Sequence, residues 1–200
     1  MTGIRFGEID SRAIHLCIDM QRIFLESGPW FCSEGLRILD PIKRIIQQFP
    51  NNSWFSRFMT PKNPEEFSNS WRRYYEHWEV VTQERIEPAV MDIHPTILKE
   101  SIQPKVFEKY TYDTFKNPDL DNALKKNSVS TLILTGVETD VCVLTTALSG
   151  VDLGYRVIMA SDAMTSSDIK THEFVIESLT KRFDQQIEVA STNSILKNWK

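Results

Sequence analysis

Cys142, Asp19 and Lys109 are the residues of this chain whose types could do covalent chemistry together. A cysteine attacks a carbonyl carbon once its proton is gone. A carboxylate can take that proton, and a lysine ammonium favours the charged forms around it. Cys142 lies in the stretch that organises the chain, 131–154. Residues 131–135 are short, apolar and β-branched, which reads as a buried strand. Gly136 breaks the run, Thr139 or Asp140 can cap a helix running to about Leu153, and Gly154 is placed to end it. Cys142 therefore falls in the first turn of a helix that follows a buried strand. Helix N-termini favour anions, so a thiol there is expected to ionise more easily. Thr145, Thr146 and Ser149 share its side of the helix, while Leu144, Ala147, Leu148 and Val151 form a separate apolar stripe. A lone cysteine is more often a small buried hydrophobe, and Cys17 and Cys32 take that reading. Taken singly, Asp19 could be a pinned buried carboxylate and Lys109 a solvated strand end. The three together supply a nucleophile, a base and a cation, which no one of them does alone.

Bringing them together requires strands. Residues 13–20 are nearly all apolar without alternation, as in a parallel strand covered on both faces, and Asp19 sits at its C-terminal end. Residues 21–31 read as a loop. Residues 35–49 have helical spacing, and 53–58 form a second strand. Beyond a proline-bearing loop at 60–64, Phe67, Trp71, Tyr74, Tyr75 and Trp78 make an aromatic helical stripe. Residues 87–100 are irregular, broken by Pro88 and Pro95. Residues 105–109 are a third strand ending at Lys109, and 117–127 a helix. After the unit around Cys142 come a strand at 156–160, a loop at 161–168, a helix at 169–183, a strand at 186–190 and a terminal helix at 192–199. Strands alternating with helices predict an α/β, three-layer αβα architecture with a mainly parallel six-stranded sheet. Such sheets bind ligands outside the carboxyl ends of their strands, where Asp19, Lys109 and Cys142 all stand.

Composition narrows the function classes. The 200 residues are 41% hydrophobic and 25% charged, which fits one globular domain over 1–200. A net charge of −4 argues against a nucleic-acid partner. No apolar run approaches the roughly 20 residues of a membrane span. Residues 1–10 lack a signal-peptide apolar core, and three cysteines make a poor disulfide framework, so a reduced, cytoplasmic protein is expected. Gly136 has no partner glycines for a dinucleotide fingerprint.

The segment 136–143, Gly-Val-Glu-Thr-Asp-Val-Cys-Val, resembles the nucleophile motif of the isochorismatase-like cysteine hydrolases, which include nicotinamidases and N-carbamoylsarcosine amidases. Ile18-Asp19-Met20-Gln21 is similar to the family's first motif, and Lys109 matches its lysine. The similarity continues through 110–115, 154–157 and 161–163, over nearly the whole chain. The resemblance implies a Rossmann-like sheet. It makes Asp19 the general base and later the general acid, Cys142 the nucleophile, and Lys109 the stabiliser of charge. It also implies a cis peptide between Val137 and Glu138, with the Glu138 and Cys142 N–H groups forming an oxyanion hole. The implied reaction is metal-independent cleavage of a C–N bond in a small amide, carbamoyl or ureido compound, through a thioester. A vinyl-ether hydrolase or a non-catalytic protein on the same fold are the alternatives.

Metal-dependent members carry histidines after the second strand, where this chain has Ser56-Arg57-Phe58-Met59, so neither a metal nor another cofactor is expected. His15, His77, His94 and His172 show no ligand spacing and read as structural. Candidate substrate contacts are Gln21, Phe24, Arg57, Trp71 and Tyr75. Arg57 could equally be a surface residue, and the aromatic stripe a core or subunit interface. Asp162 reads as pinning a loop. The partner is a small-molecule substrate, with no nucleic acid and no membrane, and a homo-oligomer (dimer or tetramer) is expected.

Overall fold

A computed structural model describes residues 3–200. Six strands form one sheet: β1 Ile14–Ile18, β2 Ser53–Phe58, β3 Lys105–Lys109, β4 Thr131–Gly136, β5 Arg156–Met164 and β6 Ile187–Ala190. Their order is β3-β2-β1-β4-β5-β6, and every neighbouring pair is parallel. The α-helices are α1 Arg22–Leu25, α2 Leu39–Gln48, α3 Asn69–His77, α4 Pro95–Leu98, α5 Pro118–Lys126, α6 Leu144–Asp152, α7 Ile169–Glu177 and α8 Thr192–Asn198. None of them, among the described residues, is long and apolar enough to cross a membrane.

β1 and β4 are buried along their whole length because helices cover both faces. Alternation then divides their side chains. Ile14, Leu16 and Ile18 join Leu132, Leu134, Leu120, Ala147 and Val175 in the layer under α5, α6 and α7. Cys17 and Ile133 join Ile42, Ile45, Ile46 and Ile195 under α2 and α8. The three α2 isoleucines are wholly buried, which is worth roughly 1.5–3 kcal/mol each.

The chain steps outward from β1 through β2 to β3, then returns to β4 on the other side of β1. Ligands bind at such a reversal, outside the carboxyl ends of the central strands. Ile18 is in register with Gly136, so the residues that follow β1 and β4 emerge side by side. Lys109 ends β3, two strands from β1, or about 10 Å at a strand spacing of about 4.8 Å. Its four-carbon stem and the Asp19 side chain reach toward each other and together span that gap.

Several boundaries differ from the sequence reading. Within 21–31 the chain makes the short helix α1 before it loops. β5 runs on to Met164 because, past a register irregularity in β4, Gly136 pairs with Met164. The helix expected over 169–183 divides into α7 and a 3-10 segment, Leu179–Phe183. Asp162 does pin a neighbour: its Oδ1 accepts from the N–H and the hydroxyl of Thr192 at 2.7 and 2.9 Å, tying β5 to the start of α8.

His15 is structural in a titratable way. It is wholly buried in β1, with Nδ1 3.0 Å from Ser53 Oγ and Nε2 2.8 Å from Thr135 Oγ1. Burial pushes its pKa from 6.5 down to about 3. The folded chain keeps the ring neutral while the unfolded chain protonates it, so its contribution is complete above pH 6.5 and shrinks as the pH falls toward 3. We expect this group alone to remove about 1.4 kcal/mol of stability per pH unit in that window. Urea midpoints measured from pH 8 to 4.5 should fall more steeply for the native chain than for His15→Gln. Parallel slopes would show that the ring does not titrate this way.

Candidate active site

Between β4 and α6 the backbone makes a π-helical turn, Thr139–Val143, and the preceding Val137–Glu138 peptide is cis. Cys142 thus sits on a π-helical turn rather than in the first turn of an α-helix. The Glu138 carbonyl accepts from the N–H groups of Val141 and Val143, both at 3.1 Å. The turn is held from outside as well. Thr139 N–H donates to the Thr165 carbonyl at 3.0 Å, Ser166 Oγ donates to Asp140 Oδ1 at 2.5 Å, and Ser167 N–H donates to Glu138 Oε1 at 3.1 Å. His172 Nδ1 lies 2.8 Å from Thr139 Oγ1, so this histidine braces the turn from α7.

Asp19 leaves β1 with φ +50°, a left-handed conformation that Asp tolerates better than most residues. Ser56 of β2 closes a ring around it. Asp19 N–H donates to Ser56 Oγ at 3.2 Å, and that hydroxyl donates to Asp19 Oδ1 at 2.6 Å. Oδ2 lies 2.6 Å from Lys109 Nζ, and both side chains are fully buried. The same ammonium donates to Thr111 O at 3.2 Å and to Cys142 Sγ at 3.4 Å, and stands 4.8 Å from the centre of the Phe58 ring. Three residues distant in sequence therefore meet around one nitrogen.

Their charges follow from the surroundings. Burial would lower the Lys109 pKa, but the Asp19 carboxylate and then Cys142 raise it further, so the amine stays protonated. The expectation of an easily ionised thiol does not hold. Burial pushes the Cys142 thiol up more than the Lys109 ammonium draws it down, and the Asp19 carboxylate adds to the rise. Cys142 lies on the π-helical turn before α6, and the neighbouring Lys109 cation is already paired with Asp19. At rest the site holds a thiol beside an Asp–Lys ion pair. Cys17 and Cys32 are buried apart from the pocket, their thiols pushed by burial to about 12 and about 11.

Cys142 opens onto a pocket of about 360 Å³. Phe24, Pro29, Trp30 and Phe31 line it from α1 and the following loop, and Phe58 from the end of β2. Tyr74, Trp78 and Tyr112 complete the aromatic wall, with Glu138, Val141 and Ser167 beside the cysteine. Of the proposed substrate contacts, Phe24 is there and four others are not. Gln21 is wholly buried, and its amide is spent on the backbone: it donates to the Phe58 and Met91 carbonyls at 2.9 and 2.7 Å and accepts from Phe58 N–H at 2.7 Å. Arg57 alternates away from Ser56 and Phe58, pairs with Glu108 across the strand and lies 3.6 Å from Asp92. It lines a separate groove with Arg22 and Leu98.

Trp71 and Tyr75 are not in the pocket lining: Tyr75 is wholly buried with Ile23, Val81 and Met91, and Trp71 stands against the pocket rings Tyr74 and Tyr112 at 5.4 and 4.9 Å. The stripe is on the correct helix but its phase is off. Tyr74 on α3 and Trp78, the residue that follows its last turn, line the pocket instead. Trp30 and Ser56 carry no sequence signal beyond their type, whereas Tyr112 lies in the 110–115 segment of family similarity without being singled out there. Among the described residues no group of three or more His, Cys, Asp or Glu side chains converges as metal ligands would.

Comparison with known proteins gives the same outline. The chain is 25% identical over 178 residues to the uncharacterized isochorismatase family protein PncA of Bacillus subtilis, spanning 86% of this chain and 96% of that one. A cysteine hydrolase from Pseudomonas syringae pv. phaseolicola superposes with a TM-score of 0.82 at 23% identity, covering 99% of this chain and 97% of that one. The N-carbamoylsarcosine amidase of Thermoplasma acidophilum gives 0.71 at 20% identity, covering 90% and 96%. At those identities the likeness is one of fold. The family model for the isochorismatase domain matches residues 13–191, a span that takes in all six strands together with Asp19, Lys109 and Cys142. By that match the chain belongs to the isochorismatase family of hydrolases.

Proposed function

We infer that the chain is a cysteine amidohydrolase that cleaves a C–N bond in a small amide, carbamoyl or ureido compound. One observation carries this reading: Lys109 Nζ stands 2.6 Å from Asp19 Oδ2 and 3.4 Å from Cys142 Sγ beside a pocket of substrate size. The structural likeness to an N-carbamoylsarcosine amidase supports the bond type.

A protonated thiol needs a base at the moment of attack, and Asp19 takes that part. Its carboxylate accepts the Cys142 proton as Sγ adds to the carbonyl carbon. The Glu138 and Cys142 N–H groups hold the oxyanion, and each such donor is worth about 3 kcal/mol. Asp19 then passes the proton to the departing nitrogen, which leaves as ammonia or an amine and generates a thioester. Water, deprotonated by Asp19, adds to the thioester, and the thiol regains its proton as the acid departs. Lys109 keeps its charge throughout and offsets the negative charge that moves between Asp19, sulfur and oxyanion. Nucleophile, base and cation are all side chains of this chain, so turnover should survive treatment with a chelator.

The test is ammonia release from a panel of amides, carbamoyl and ureido compounds in the presence of EDTA. Asp19→Asn should lower turnover by at least about a hundredfold. It should also cost about 3 kcal/mol of stability, since the buried Lys109 ammonium loses its counter-charge. Turnover within about threefold of native in that variant would remove Asp19 from the role of base.

A further inference from the structure

We propose that the pocket selects amides carrying a positive charge on the group remote from the scissile bond, and rejects those carrying a carboxylate. The inference rests on the amidohydrolase reading of the same pocket. Its walls are aromatic rings. Trp30 stacks on Phe24 at 5.9 Å and meets Phe58 and Trp78 edge-on at 5.8 and 6.2 Å. Tyr74 and Tyr112 add two more rings, their hydroxyls held neutral because burial raises both above the ordinary phenol range.

Among the described residues lining the pocket, Glu138 is the one carboxylate, and no lysine, arginine or histidine is present. The nearby cations are engaged elsewhere. Lys109 is held between Asp19 and Cys142, and Arg57 is turned into its pairs with Glu108 and Asp92. Ring faces carry the negative part of the aromatic quadrupole and attract cations. A substrate carboxylate would leave water for these rings and Glu138 with no cation to offset its charge. A quaternary ammonium or alkylammonium meets the opposite situation: aromatic rings around it and one carboxylate in the same pocket.

Three amides of matched length separate charge from shape: 4-(trimethylammonio)butanamide, its neutral carbon isostere 5,5-dimethylhexanamide, and glutaramate. Binding to the Cys142→Ala protein is followed by tryptophan fluorescence and calorimetry, without turnover. The cation should bind about tenfold tighter than its isostere, and glutaramate should be the weakest. Glu138→Gln and Trp30→Leu should each narrow the gap between cation and isostere. The inference is overturned if the isostere binds as tightly as the cation, if glutaramate binds best, or if none of the three binds. The wild-type chain separates the two readings. Amide turnover without preference for the cation removes this inference alone, and cation-selective binding with no amide cleaved removes the amidohydrolase reading alone.

Discussion

Cys142→Ala should lower amide turnover by about 10⁴-fold or more while the chain stays folded. The variant removes one sulfur from a side chain already 6% exposed and leaves the Asp19–Lys109 pair and its Ser56 support in place. Lys109 loses a contact at 3.4 Å but keeps Asp19 and the Thr111 carbonyl, so no buried charge is orphaned. The structural cost is a cavity of about one sulfur atom, on the order of 1 kcal/mol. Activity should therefore collapse while the melting curve moves little. The measurement pairs ammonia release with thermal unfolding on one preparation. If the variant turns over amides at a rate within about tenfold of the native chain, the thioester route is wrong and water must attack directly. A loss of activity that tracks unfolding would say nothing about the nucleophile, and the small expected cost of the substitution makes that outcome easy to recognise.

The strands were legible because each central one is an apolar run with no alternation, and such runs occur where helices cover both faces. From that followed the rim, and Asp19, Lys109 and Cys142 at strand ends. What stayed hidden depends on phase and on surroundings. Trp71, Tyr74 and Tyr75 share α3 and Trp78 follows its last turn, and a rotation of about 100° per residue along the helix decides which of its rings line the pocket. Their types are too alike to reveal it. Arg57 lies between Ser56 and Phe58, so alternation places it opposite them. Knowing which face carries the site requires knowing that Ser56 reaches Asp19. Gln21 belongs to the Ile18–Gln21 motif and is a candidate contact by its place two residues after Asp19, yet its donors and acceptor are consumed by the end of β2 and the 88–91 segment. The thiol escapes sequence reading for a related reason. A helix terminus acts locally, whereas desolvation depends on the whole layer packed around Cys142.

Gly136→Ala is expected to have the largest effect on folding, and its cause lies in the backbone. A Cβ on Gly136 would stand 2.0 Å from the Ile18 carbonyl oxygen and 2.8 Å from its carbon, at a φ of +109°. Neither neighbour is a side-chain tip that could swing away. Ile18 and Gly136 are paired in register at the centre of the sheet, with layers packed on both faces. Relief therefore means parting β1 from β4, at a cost above about 4 kcal/mol. Gly154→Ala isolates the conformational part of that cost, because Gly154 also has a positive φ, +88°, but open space around it. That variant should lose about 1 kcal/mol. Urea unfolding of the two side by side should show a large loss at 136 and a small one at 154, and similar losses would mean that close approach is not what requires glycine. The same contact links fold to chemistry. Ile18 immediately precedes Asp19, and Gly136 begins the turn that carries Cys142. Any chain that refolded around the added methyl would move Asp19 and Cys142 apart. An ångström of separation at the 2.6 and 3.4 Å contacts of Lys109 is enough to uncouple them. A folded remnant of Gly136→Ala should therefore be inactive even where Asp19, Lys109 and Cys142 are all intact.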